Sequence, residues 1–174
     1  APAGTVLRAA RTRLQRAGWR AGYPDRIGGW RGIGDCMRTD RMREVVIPRA
    51  DVSVLVLGLN AQIEGEQGDA GNSEAAGDKL DLELTGLQQQ LLEAVVAVGK
   101  PVVVVLVAGS ALAVTFAEQR ASALLQAWYP GEEGGNALAD VLFGDVSPAG
   151  RLPVTFPRAL ADVPAFDDYA MRGR

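Results

Sequence analysis

Apolar positions follow two regimes along this chain, and the regimes meet near residue 50. Ahead of that point, Thr5 to Ala17 has enough helical spacing for a short amphipathic helix, but Gly18 to Gly34 is rich in Gly and Arg, carries two Trp, and sustains no period. Beyond it the pattern is regular. Val52 to Leu59 is an apolar run of strand length, and the acidic, glycine-broken stretch Asn60 to Lys79 that follows is longer than most connections in a compact domain, which points to a functional loop. A helix is predicted from Thr85: Thr85 and Gln88 form a capping box, Leu87, Leu91, Leu92, Val95 and Val96 recur on one face, and Gly99-Lys100-Pro101 stops it. Val102 to Val107 is unbroken, apolar and β-branched, the composition of a central parallel strand covered on both faces.

After Gly109-Ser110 the pattern predicts a short helix near Ala113 to Gln119 and a third strand near Ala123 to Ala127, running into Trp128-Tyr129-Pro130-Gly131. Glu132 and Glu133 then open a helix whose dipole their charge complements, and Gly144 closes it in the left-handed cap position. This β-α-β-α-β-α alternation predicts an α/β fold: a mostly parallel sheet flanked by helices, a three-layer sandwich wound in the flavodoxin-like or Rossmann-like manner with right-handed crossovers. Arg151 to Phe156 reads as an added edge strand, because Pro153 cannot donate in the middle of a sheet.

Charge changes the picture of the front segment. Residues 1–49 hold 11 Arg against 4 acidic residues, and residues 50–174 hold 7 Lys and Arg against 17, so the two parts carry +7 and −10. A basic arm for nucleic acid is one reading. The Arg residues lack helical spacing and no nucleic-acid motif accompanies them, which favours a solvated lead-in, or a remodelled opening of the same domain. With 174 residues and 48% apolar content, one compact domain over residues 50–174 is expected. No stretch of 18 apolar residues and no signal-peptide pattern occurs, so a soluble chain without membrane partners is expected, with cytoplasmic and exported locations left open.

Composition also prunes the chemistry. The chain has no His, which removes Ser-His-Asp and Cys-His schemes and the common zinc sites, and Cys36 stands alone, so neither an internal disulfide nor a cysteine metal cluster is expected. No GxGxxG, no GxxxxGK[ST] and no N-x-[ST] occurs, so no cofactor is expected, and Ser110 reads as a turn or cap residue rather than a nucleophile. What remains is carboxylates in a loop at the end of a strand, the edge where α/β sheets present their chemistry. Glycosidic bond cleavage uses such groups, one carboxylic acid to protonate the leaving oxygen and one carboxylate on the other face of the sugar. Taken alone, Glu64 and Glu66 read more readily as a solvated acidic surface than as catalysts.

The stretch from Ala50 onward resembles glycoside hydrolase family 3, the β-glucosidase and β-xylosidase group. The resemblance is carried by Ala50-Asp51-Val52-Ser53-Val54-Leu55-Val56-Leu57-Gly58-Leu59-Asn60, Ile63-Glu64-Gly65-Glu66, Gly77-Asp78-Lys79, Leu87 to Leu92, Gly99 to Leu106, Ala127-Trp128-Tyr129-Pro130-Gly131-Glu132-Glu133-Gly134-Gly135-Asn136-Ala137, Leu142 to Pro157, and Phe166-Asp167-Asp168-Tyr169. It implies a retaining enzyme that hydrolyses terminal non-reducing β-D-glycosyl residues, whose N-terminal β/α barrel supplies an aspartate nucleophile and whose α/β sandwich domain supplies a glutamate acid/base. The present chain looks like that second domain, with the barrel and a further C-terminal domain expected outside it. By the resemblance, Glu66 is the acid/base and Glu64 the alternative, no nucleophile lies in this chain, and the isolated chain is expected to be inactive. Gly68 to Ala76 resembles an insertion, and Lys79 stands where the family pattern has arginine. Asp78 and Lys79 are expected to brace the loop as an ion pair, Trp128 and Tyr129 to stack on a sugar ring or pack, and Glu132 and Glu133 to act on the helix dipole rather than on substrate. The substrate partner is then a β-linked oligosaccharide or glycoside. The competing reading is a carbohydrate-binding or assembly module that keeps the fold without catalysis.

Overall fold

The structure, a computed structural model, describes residues 50–60, 63–64, 79–165 and 167–170. The front segment 1–49 with Cys36, the glutamate Glu66 and the aspartate Asp78 lie outside the described residues. Three strands form one parallel sheet in the order β1 (Ser53–Gly58), β2 (Val102–Val107), β3 (Ala123–Gln126). Between them run α1 (Gln88–Val96) and α2 (Thr115–Arg120), and α3 (Gly134–Leu142) follows β3. The expected alternation is therefore observed, with the unbroken valine run at the centre and paired on both sides.

Period-two alternation divides the core into two layers. Leu57, Val102, Val104 and Leu106 face Leu92 and Val95 of α1 and Ala117 of α2, with Leu59 and Ala108 extending that layer past the strand ends. Val105 faces the other way onto Leu138 of α3, with Val56, Val107, Leu125 and Ala127 around it. Helices thus cover both faces of β2, which is why its sequence has no polar position to alternate with: Val104 and Val105 are adjacent and both fully buried. The result is a three-layer α/β sandwich.

Two local expectations are corrected. The helix after the acidic loop starts at Gln88 rather than Thr85, and no side chain caps its first turn. The capping-box glutamine is used differently: Gln88 is buried, accepts from the Gly58 N–H through Oε1 at 2.6 Å and donates from Nε2 to the Gly58 carbonyl at 2.8 Å, with Thr85 Oγ1 3.1 Å away. Two backbone groups at the end of β1 outweigh one helix-start donor, because buried peptide groups without partners are costly. Gln88→Leu keeps the volume and strands both groups of Gly58, so it is expected to destabilise the chain by about 2–5 kcal/mol, read as a lowered urea midpoint with an unchanged slope. The second correction concerns Arg151 to Phe156, which forms no strand; residues 151–155 are exposed and irregular. Pro153 removes a donor and the segment buries too little apolar surface to offset the loss.

Candidate active site

Parallel strands end on one edge, so the loops leaving β1, β2 and β3 emerge side by side. The first turns sharply at Asn60, whose carbonyl accepts from Ile63 N at 3.0 Å and Glu64 N at 2.8 Å, while its side-chain Oδ1 accepts from Ile63 N at 3.0 Å. An asparagine at this position makes the turn because its side chain imitates a backbone acceptor. The turn presents the Glu64 carboxylate to the next loop, where Gly109 N donates to Glu64 Oε2 at 2.8 Å. The Ser110 hydroxyl beside it favours the charged form of this carboxylate. From the third loop, the Tyr129 hydroxyl donates to the same Oε2. Gly109 has to be small here: a Cβ would lie 2.8 Å from Tyr129 Cε2 and 3.1 Å from Glu64 Oε2.

Electrostatics follow from the donors. Partial burial would lift the Glu64 carboxyl, but the hydroxyls of Ser110 and Tyr129, the Gly109 N–H and the positive charge of Lys79 together hold it below the ordinary glutamate value. Tyr129 moves the opposite way: burial, the hydrogen bond to Glu64 and that carboxylate's charge push its phenol far above the ordinary tyrosine value. Near neutral pH the pair is therefore an ionised acceptor and a protonated donor.

The aromatic pair separates. Trp128 adopts a left-handed backbone, φ 55°, which is uncommon for a large side chain, and its ring meets Phe156 edge-on with centroids 6.1 Å apart. Tyr129 is 47% exposed despite its anchored hydroxyl, so its ring retains an accessible surface. Lys79 binds the Glu83 carbonyl at 2.5 Å and lies 3.6 Å from Asp81, so among the described residues its carboxylate partner is Asp81. Glu132 and Glu133 precede α3, and Glu133 accepts from Asn136 Nδ2 at 2.6 Å. Sequence reasoning missed the convergence of Gly109, Ser110 and Tyr129 on Glu64. The available signal was positional, since all three directly follow the predicted second and third strands. Among the described residues, no acidic or cysteine cluster has the makings of a metal site, and no helix is long and apolar enough to cross a membrane.

A parallel α/β sandwich with a clamped carboxylate on the edge where its strands end is a scaffold for carboxylate chemistry. Residues 3–174 match the glycosyl hydrolase family 3 C-terminal domain, and the chain belongs to that family. It is 40% identical over 152 residues to a xylan 1,4-β-xylosidase of Xylanibacter ruminicola, covering 81% of this chain and 18% of that protein. It is 39% identical over 126 residues to a periplasmic β-glucosidase of Salmonella typhimurium, covering 72% of this chain and 15% of that protein. A solved β-glucosidase structure from Erythrobacter marinus superposes with a TM-score of 0.73 at 34% identity, covering 92% of this chain and 23% of that one. The chain thus spans less than a quarter of the length of each of these relatives.

Proposed function

We propose that this chain is the acid/base-bearing domain of a retaining β-glycosidase that removes terminal non-reducing β-D-glucosyl or β-D-xylosyl residues, with Glu66 as the proton donor. The observation that carries this reading is the family match over residues 3–174, joined by relatives named as a β-xylosidase and a β-glucosidase. The match also supports reading residues 1–49 as the opening of the same domain. The state of Glu64 bears on the choice between the two glutamates: a general acid must carry a proton before reaction, whereas Glu64 is held ionised by groups that donate to it.

In this mechanism an aspartate from the β/α barrel of the same enzyme attacks the anomeric carbon while Glu66 protonates the departing oxygen. Glu66 then takes a proton from water, which displaces the aspartate from the covalent glycosyl intermediate. Retention needs the two carboxyl groups about 5 Å apart, so the site forms across the cleft between the two domains. The edge of the sheet that carries the Glu64, Gly109 and Tyr129 loops is the side that faces that cleft.

Proton NMR of the full-length enzyme turning over an aryl β-glucoside or β-xyloside is expected to show the β-anomer of the sugar first, followed by slow mutarotation. Residues 1–174 alone are expected to release no sugar. Initial release of the α-anomer would overturn the retaining mechanism, and hydrolysis by residues 1–174 that Glu66→Gln abolishes would overturn the division of the catalytic pair between domains.

A further inference from the structure

Three loops that are distant in sequence meet on one carboxylate. Glu64 follows β1, Gly109 and Ser110 follow β2, and Tyr129 follows β3, and the contacts bridge 45 and 65 residues of chain. Glu64 is pinned from both ends: Asn60 holds its backbone N–H at 2.8 Å, and its side chain is held by the Gly109 N–H and the Tyr129 hydroxyl. The Gly109 N–H and the Tyr129 hydroxyl both donate to Oε2, which favours the ionised carboxylate.

We propose that Glu64 is the positioning residue of the catalytic acid: its carboxylate, clamped by Gly109 and Tyr129, fixes the start of the acidic loop to the ends of β2 and β3. The proposal rests on the reading of Glu66 as proton donor and adds a role for its neighbour. Glu66 stands two residues beyond Glu64, a separation that extended chain covers in at most about 7 Å, so fixing one restricts the other. Tyr129 is the distal half of the clamp, and Gly109 provides the space in which the two side chains meet.

The test uses the full-length enzyme and two aryl glycosides of the same sugar. A phenyl glycoside needs a proton on its leaving oxygen, and a 2,4-dinitrophenyl glycoside leaves without one. Glu64→Gln and Tyr129→Phe are each expected to lower kcat/KM on the phenyl glycoside about 10- to 100-fold, the scale of a misplaced catalytic group, and to leave the dinitrophenyl glycoside within about 2-fold. The double variant is expected to lose no more than the larger single loss, because the two side chains act as one clamp. Azide, which attacks the glycosyl intermediate without a general base, is expected to accelerate Glu66→Ala more than Glu64→Ala, in which a displaced Glu66 still supplies a base. Azide acceleration of Glu64→Ala equal to or greater than that of Glu66→Ala would overturn the proposal by making Glu64 the acid/base itself. Equal losses on both substrates would overturn it in favour of a purely structural contact, and so would unchanged activity in Glu64→Gln. An unaffected Glu66→Ala would overturn the reading of the acid, and the positioning role with it, through a separate arm of the experiment.

Discussion

Glu66→Gln in the full-length enzyme is expected to lower kcat/KM on a phenyl glycoside by about 10²- to 10⁴-fold, the usual contribution of a positioned general acid. The substitution keeps the size and polarity of the side chain and removes only its exchangeable proton. The loss should shrink as the leaving group becomes a better anion, because a 2,4-dinitrophenolate departs without help. The second step tells more. A carboxamide at this position cannot take a proton from water, so the glycosyl intermediate should accumulate on the dinitrophenyl substrate, and stopped-flow absorbance should record a burst of one nitrophenolate per active site followed by a slow steady state. A uniform loss on every substrate, without a burst, would show that residue 66 does not handle the proton.

Gly58→Ala is expected to have the largest effect on folding. Gly58 ends β1 with φ 135°, and a Cβ there would stand 2.0 Å from the Val107 carbonyl oxygen and 2.7 Å from its carbon. These are backbone atoms of the neighbouring strand, so no rotamer change relieves the clash. The same carbonyl accepts from Leu59 N at 2.8 Å, and both peptide groups of Gly58 are held by Gln88 of α1, so Gly58 cannot shift away from Val107 without disturbing these three hydrogen bonds. Overpacking and an unfavourable φ together cost about 2–6 kcal/mol, against a total stability of about 5–15 kcal/mol for a domain. The variant should accumulate as insoluble protein or melt far below the parent. Gly99→Ala is the control: it shares a positive φ, 78°, but has nothing within 4 Å of its added carbon, so it should show the backbone cost alone, about 1–2 kcal/mol, and melt between the parent and Gly58→Ala.

Much of the scaffold was legible because burial on two faces leaves a strong imprint. Val102 to Val107 has no polar residue, and the structure places it in the middle of the sheet over those same six positions. The short third strand and the helix closed by Gly144 were equally readable, and Gly144 does adopt φ 77°. Legibility failed where a residue type has two uses. Thr85 and Gln88 have the spacing of a capping box, yet the amide serves the strand instead, a choice made by tertiary contact that no local pattern encodes. Arg151 to Phe156 has the alternation of a strand and lacks a partner strand among the described residues. At the site, the acidic loop was recognisable by composition and by family resemblance. The grip of Gly109 and Tyr129 on Glu64 was not, because hydrogen bonds that cross 45 and 65 residues depend on strand order.

The Gln88 contact reaches beyond stability. A carboxamide is chemically a peptide unit, and here it completes the donor and acceptor pattern just where β1 runs out, working as borrowed main chain. That docks the first residue of α1 to the last residue of β1 within the tolerance of two hydrogen bonds, whatever lies between them in sequence. Insertions and deletions are thereby steered into the stretch after Asn60 and before Thr85. The chain between Asn60 and Thr85 can then change length while the frame on either side keeps its register.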